Sequence, residues 1–380
     1  MSRLAGAIVH QVTAGFAPAD AISDEARNIQ RVLRSWGCQS EIYCWSEHIH
    51  PETRHECRRL SDLDPRHCDL LLYHFSIGSP ATRTVLEQPY PKVMIYHNIT
   101  PSSFYREYRP DISVQLDQGR EELGRIRGAF SLALAVSDFN RRELKRLGYP
   151  RTGVLPILFD PQNLRVGLKE RVRARWLRGR SSTTLFFVGR LVPNKKAEDL
   201  LRMFSVYQRF YDPNSRFVWV GSEAGMGKYA LQLLELADQL RLRNAHFVGY
   251  VDRSELTSWY LAGDIFVSAS EHEGFCVPIL ESFHFGRPVV AYAAAAIPET
   301  LGEAGVLLDS KAPELFAAAV HRVVSDRELR SELVARGRRR AAEHFGLERV
   351  GSILREYVVA ELSGAREGDA RQETDADSAP

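Results

Sequence analysis

Glu273-Gly-Phe-Cys-Val-Pro-Ile-Leu-Glu281 sets two carboxylates eight positions apart around a glycine and a proline. Gly274 lets backbone N–H groups approach a ligand closely, and Pro278 suits the first turn of a helix. Glu273 then precedes that helix and Glu281 sits about one to two turns inside it. The pair can reach different parts of one extended, hydroxyl-rich ligand. A carboxylate accepting from two vicinal hydroxyls matches a ribose or a hexose. Arg190, directly after Leu185-Phe-Phe-Val-Gly189, and Lys195, five positions later, stand at the mouth of a strand–loop–helix turn. A guanidinium and an ammonium there can clamp phosphate with help from helical N–H groups. A solvated surface pair would look the same, so these two cations alone leave both readings open.

The elements that must hold such residues are short apolar runs alternating with helical stretches, the pattern of parallel α/β domains. In the first half, strands are expected at Ala5–Val9, Ser40–Cys44, Asp69–Tyr73, Lys92–Tyr96, Leu132–Val136 and Gly153–Leu155. In the second they fall at Thr184–Val188, Arg216–Val220, Ala245–Val248, Asp264–Ser268, Pro288–Ala291 and Gly305–Leu308. Expected helices include Asp24–Trp36, Lys196–Tyr211, Met226–Arg241 and one long segment, Pro313–Glu343. The expected division is an N-terminal domain over 1–160, a linker over 161–183 and a C-terminal domain over 184–345. A helix over 346–362 is expected to return to the N-domain. The tail 363–380 has no Leu, Ile, Val, Phe, Trp or Tyr and is expected to be disordered.

Ligands of open parallel sheets bind beyond the carboxyl ends of the strands. On the expected boundaries those ends carry His10, His74 and His97 in the first half, and Gly189-Arg190 and Glu271–Gly274 in the second. Each histidine alone reads sooner as a satisfied loop residue. Together they suggest a polar wall that titrates near neutral pH.

Composition narrows the classes. At 380 residues, two domains are expected; 44% hydrophobic and 26% charged residues are those of a globular protein. Fifty basic against 48 acidic side chains leave a formal charge of +2, too little for a general nucleic-acid binder. Five cysteines without a C-x-x-C pair argue against structural zinc and suit a reducing, cytoplasmic setting. No run approaches the roughly 18 apolar residues of a membrane span. Asp62-Leu-Asp64 spells a metal-binding D-x-D but lies in a polar stretch before Pro65, and no metal role is assigned to it. Gly221 to Gly227 reads G-x-x-x-G-x-G, which is not the dinucleotide fingerprint. Basic clusters at Arg141, Arg142, Lys145, Arg146 and Arg151, and from Lys169 to Arg180, are either solvated faces or a contact for anionic lipid headgroups.

Phe187-Val-Gly-Arg-Leu-Val-Pro-Asn-Lys195, the Glu273–Glu281 segment, and Gly286-Arg-Pro-Val-Val290 with Ile297-Pro-Glu299 together resemble the C-terminal signature of the retaining family 4 glycosyltransferases. Tyr96-His-Asn-Ile-Thr-Pro101 and Ala135-Val-Ser-Asp-Phe-Asn140 are similar to that family's N-domain segments. The resemblance implies an α/β GT-B fold, two Rossmann-like parallel-sheet domains facing each other across a cleft. It implies transfer of a hexose, mannose or glucose type, from a UDP- or GDP-linked nucleotide-diphospho-sugar to a glycan or lipid-linked acceptor in surface polysaccharide or glycoconjugate synthesis. No cofactor or metal is implied.

By position, Arg190 and Lys195 would hold the departing diphosphate. Glu281 would hold the ribose, and Glu273 the sugar hydroxyls beside the backbone of Gly274, Phe275 and Cys276. His97 would touch the transferred sugar, and Tyr250 and Val251 would cradle the base. The first N-domain loop, Thr13 to Asp20, has Gly15 where many members carry a glycine pair. Two alternatives remain: another GT-B chemistry, such as sugar-nucleotide epimerisation or phosphorolysis, and a non-catalytic sugar-nucleotide binding module.

Overall fold

The computed structural model describes residues 4–64, 66–164 and 182–376, with side chains at 163 and 365–376 excluded. The chain divides into two units. One comprises Met1–Ile99, Gln115–Phe159 and Phe345–Pro380, and the other Thr100–Val114 and Asp160–His344.

The first unit is a seven-stranded parallel sheet of β1 (Val9–Thr13), β2 (Ile42–Cys44), β3 (Arg58–Arg59), β4 (Leu70–Phe75), β5 (Lys92–Tyr96), β6 (Leu132–Ala135) and β7 (Thr152–Val154). Their order is β3-β2-β1-β4-β5-β6-β7. The second holds β8 (Thr184–Val188), β9 (Arg216–Val220), β10 (Ala245–Gly249), β11 (Ile265–Ser268), β12 (Val289–Tyr292) and β13 (Val306–Leu308), in the order β10-β9-β8-β11-β12-β13. Both expected Rossmann-like parallel sheets are therefore present. Parallel sheets are covered on both faces, which is why Leu70-Leu-Leu-Tyr-His-Phe75 and Thr184-Leu-Phe-Phe-Val188 are buried at every position. In each sheet the strand order reverses beside its first strand, between β1 and β4 and between β8 and β11. Those are the switch points where such sheets open a crevice.

Three expectations need correction. The first strand begins at Val9 rather than Ala5, because Gly6 takes a left-handed turn (φ +84°) that no strand residue adopts. The expected helix Pro313–Glu343 is two, Pro313–Ser325 and Arg327–Arg340. Asp326 is extended between them, and its carboxylate accepts from Leu329 N to start the second. The last helix runs from Leu347 to Ala376, so the stretch expected to be disordered from Ser363 is helical to Ala376. Val350, Leu354, Val358 and Leu362 recur every fourth residue and are buried, which anchors the helix. Its continuation, residues 363–376, holds three Ala, two Arg and two Glu, which propagate a helix already nucleated. Of the expected linker, residues 165–181, including the basic run from Lys169 to Arg180, lie outside the described residues.

Candidate functional site

In the second unit, β8 ends at Val188 and the chain leaves the sheet through Gly189 and Arg190. It makes a single 3-10 turn, Pro193–Lys195, before the helix Ala197–Phe210. Gly221, after β9, passes so close that a Cβ there would stand 2.0 Å from Gly189 O. That crossing is closed to any other residue. The turn is stitched to the loop after β11: Asn194 Nδ2 donates to His272 O at 2.9 Å, and Glu271 N donates to Asn194 O at 2.9 Å.

Two ion pairs lie across this seam. Lys195 Nζ meets Glu273 Oε2 at 2.5 Å, and Lys196 Nζ meets Glu271 Oε2 at 3.4 Å. Glu273 is only 8% exposed, and Lys195 is the cation that faces it. Lys311 extends the second rung, reaching Glu271 and, at 2.7 Å, Asp199. Arg190 is exposed and has no ion-pair partner among the described residues. Tyr105, from the segment grouped with this unit, is buried, and burial pushes its hydroxyl up. Arg190 and Lys195 pull it down and Glu273 raises it, so the ring lies within electrostatic reach of all three. Sequence reasoning missed Tyr105, Lys196 and Lys311, and placed Glu271 at a strand end without giving it a partner. The doublet Lys195-Lys196 facing Glu271-x-Glu273 was the signal available for the two rungs.

Cys276, in left-handed backbone (φ +75°), precedes the helix Val277–His284, whose second residue is Pro278. Glu281 therefore lies inside that helix and Glu273 before it, the placement expected. The Glu281 carboxylate accepts from the hydroxyl of fully buried Tyr260. Burial, reinforced by Glu281, pushes that hydroxyl well up, so it stays a donor. The Cys276 thiol is also pushed well up by burial and is no nucleophile. Phe275 is buried, and its carbonyl accepts from Thr300 Oγ1. Tyr250 and Val251 follow edge strand β10, with the Tyr250 ring 63% exposed. The structure thus brings together Arg190, Lys195, Glu273 and Tyr105.

In the first unit the three histidines separate. His10 is the second residue of β1, not beyond its end; its Nδ1 accepts from Glu41 N at 3.2 Å. His74 lies inside β4 and is buried, and His97 directly follows β5. His74 and His97 are joined: their rings stack at 5.2 Å, and His74 Nδ1 is 2.9 Å from His97 Nε2. His74 Nε2 is 2.9 Å from Gln11 Oε1. Burial drives His97 down to about 3 and His74 well below its ordinary value, so neither carries charge near neutral pH. The expected titrating wall is accordingly a neutral one. Gly15 lies in the loop after β1 with space for a Cβ, 3.8 Å from His48 O, so the fold itself does not demand glycine there. Asp64 of the D-x-D tripeptide is engaged by His67 at 3.0 Å and by Arg66 N at 2.9 Å.

Residues 169–340 match the family described as glycosyl transferases group 1. Over 225 residues the chain is 33% identical to a D-inositol 3-phosphate glycosyltransferase of Thermomonospora curvata, covering 57% of this chain and 52% of that one. Over 215 residues it is 26% identical to the O-antigen chain mannosyltransferase B of Escherichia coli, covering 54% and 55%. The chain thus spans about half the length of the curated relatives it matches. Among solved structures, it is similar to sucrose-phosphate synthase from Thermosynechococcus elongatus. The TM-score is 0.75 at 16% identity, over 94% of this chain and 100% of that one. Anabaena HepE in complex with UDP and glucose gives a TM-score of 0.74 at 17% identity, over 93% and 100%. At such identities the likeness establishes the fold, GT-B.

Proposed function

We propose that the chain is a retaining, metal-independent glycosyltransferase. It moves a hexose of the mannose or glucose type from a UDP- or GDP-linked sugar to a glycan or lipid-linked acceptor, in surface polysaccharide or glycoconjugate synthesis. The observation that carries this reading is the pair of half-buried Lys195 with buried Glu273, beside an Arg190 without an ion-pair partner among the described residues, directly before the helix that bears Glu281. The group 1 match spans all four residues. The relatives' names and the UDP complexes of the HepE structures support a nucleotide-sugar donor.

In this reading the donor diphosphate takes up Arg190 and Lys195, while Glu273 turns to the sugar hydroxyls and Glu281 to the ribose. The backbone of Gly274, Phe275 and Cys276 lines the sugar side, Gly15 the phosphate side, and Tyr250 and Val251 the base. His97 touches the transferred sugar. The C1–oxygen bond to the β-phosphate breaks as two cations take up the charge that develops on it. The acceptor oxygen bonds to C1 from the same face, and its proton passes to the departing phosphate oxygen. Closure over the donor keeps water from the oxocarbenium-like centre. The basic helix with Arg141, Arg142, Lys145 and Arg146 contacts anionic lipid at the acceptor's membrane surface. Retention on anionic liposomes at low salt tests that contact.

The test is to incubate the protein with UDP- and GDP-hexoses in EDTA together with glycan and lipid-linked acceptors. Product anomer and nucleotide release are then read by NMR. An axial product from an axial donor, formed without metal, is expected. Inverted product, or activity restored only by Mn²⁺, contradicts the reading.

A further inference from the structure

The hydrogen bonds around Gln11 fix a proton arrangement. Gln11 Nε2 donates to Ala26 O at 3.0 Å, which only the amide nitrogen can do. Its Oε1 is therefore the atom facing His74 Nε2 at 2.9 Å, and His74 must carry its proton there. His74 Nδ1 is then a bare acceptor, so His97 Nε2, 2.9 Å away, must be the donor. All three residues sit in the first unit, on β1, on β4 and just beyond β5. Gln11 is wholly buried and His74 nearly so, so water cannot enter the contact between them, while His97 is half-buried at the outer end of the array.

We propose that Gln11 and His74 are positioning residues that hold His97 in its Nε2–H tautomer, with Nδ1 left bare to accept from a hydroxyl of the transferred sugar. The inference rests on the assignment of His97 to that sugar. The burial that keeps both imidazoles neutral removes the competing doubly protonated form. It follows that His97 neither donates a proton to the leaving group nor offers a charge. It orients a hydroxyl as an acceptor.

Ring nitrogen spectra of the full chain at neutral pH, assigned with His97→Asn and His74→Phe, read the tautomers directly. Both rings are expected as Nε2–H. Gln11→Met keeps the side chain's size and its burial but removes the oxygen. It should release His74 to mixed tautomers and lower kcat about tenfold or more with little change in donor KM. His97 found protonated at Nδ1, or unchanged kcat in Gln11→Met, overturns the proposal. Expected tautomers with wild-type turnover in His97→Asn overturn the assignment of His97 to the sugar and leave the proton arrangement standing. A crippled His97→Asn with the wrong tautomer overturns the proton arrangement alone.

Discussion

A lysine with its ammonium 2.5 Å from a carboxylate that is 8% exposed is committed to that carboxylate until a stronger anion arrives. In the proposed reaction the donor diphosphate is such an anion, and its charge grows as the bond to the sugar breaks. Lys195→Ala should therefore lower both donor affinity and kcat. It also strands Glu273, at a stability cost of about 3 kcal/mol, read from urea midpoints. Combining it with Glu273→Gln should restore the midpoint but not turnover, which separates the two roles. Glu281→Ala removes a charged hydrogen-bond acceptor and should raise the donor Kd about ten- to a hundredfold with a smaller effect on kcat, by titration calorimetry and steady-state rates. At this scale the Glu273–Glu281 spacing was readable, because a glycine, a proline and two carboxylates in one short run have few other uses. Tyr105 and Tyr260 were not. Each acts across many residues of sequence, and nothing local to either marks it.

Strands and helices were legible wherever apolar periodicity alone decides them. Lys92–Tyr96, Thr184–Val188 and Arg216–Val220 stand where their sequences place them. The misplacements have local causes: a glycine turn delays β1, and an aspartate cap divides one helix into two. The first of these moved His10 into the strand and made Gln11, not His10, the partner of His74. The two neutral imidazoles have a consequence for stability. Unfolded, both titrate near 6.5; folded, His97 titrates near 3 and His74 well below 6.5. Below pH 6.5 the unfolded chain therefore binds protons that the native chain does not, so stability falls with acidity from about 6.5 down to about 3. Urea midpoints measured from pH 7.5 to pH 4.5 should decline, and His74→Phe should flatten part of that decline. The crossing of β8 and β9 makes a second prediction. Gly221→Ala puts a Cβ against Gly189 O and should cost about 2–3 kcal/mol, again in urea.

For the whole chain, the two sheets divide the chemistry unevenly. The Lys195–Glu273 seam lies in the second unit, where the group 1 match also lies, and the neutral Gln11–His74–His97 array lies in the first. The looser sequence signal in the first unit follows from this. Its candidate groups act by hydrogen bonding between strands rather than through a run of charged residues. The measurement that bears most directly on the account is a thermal-shift panel with UDP, GDP, ADP, their sugar conjugates and NAD⁺, in EDTA. A ligand held by the native state raises the melting temperature, by about 2.7 kcal/mol of stabilisation at a hundredfold excess over Kd. The expected result is a rise with UDP or GDP and its sugars that is largely lost in Glu281→Ala and Lys195→Ala. No rise with any nucleoside diphosphate, or a rise that both variants retain in full, would contradict the donor site described.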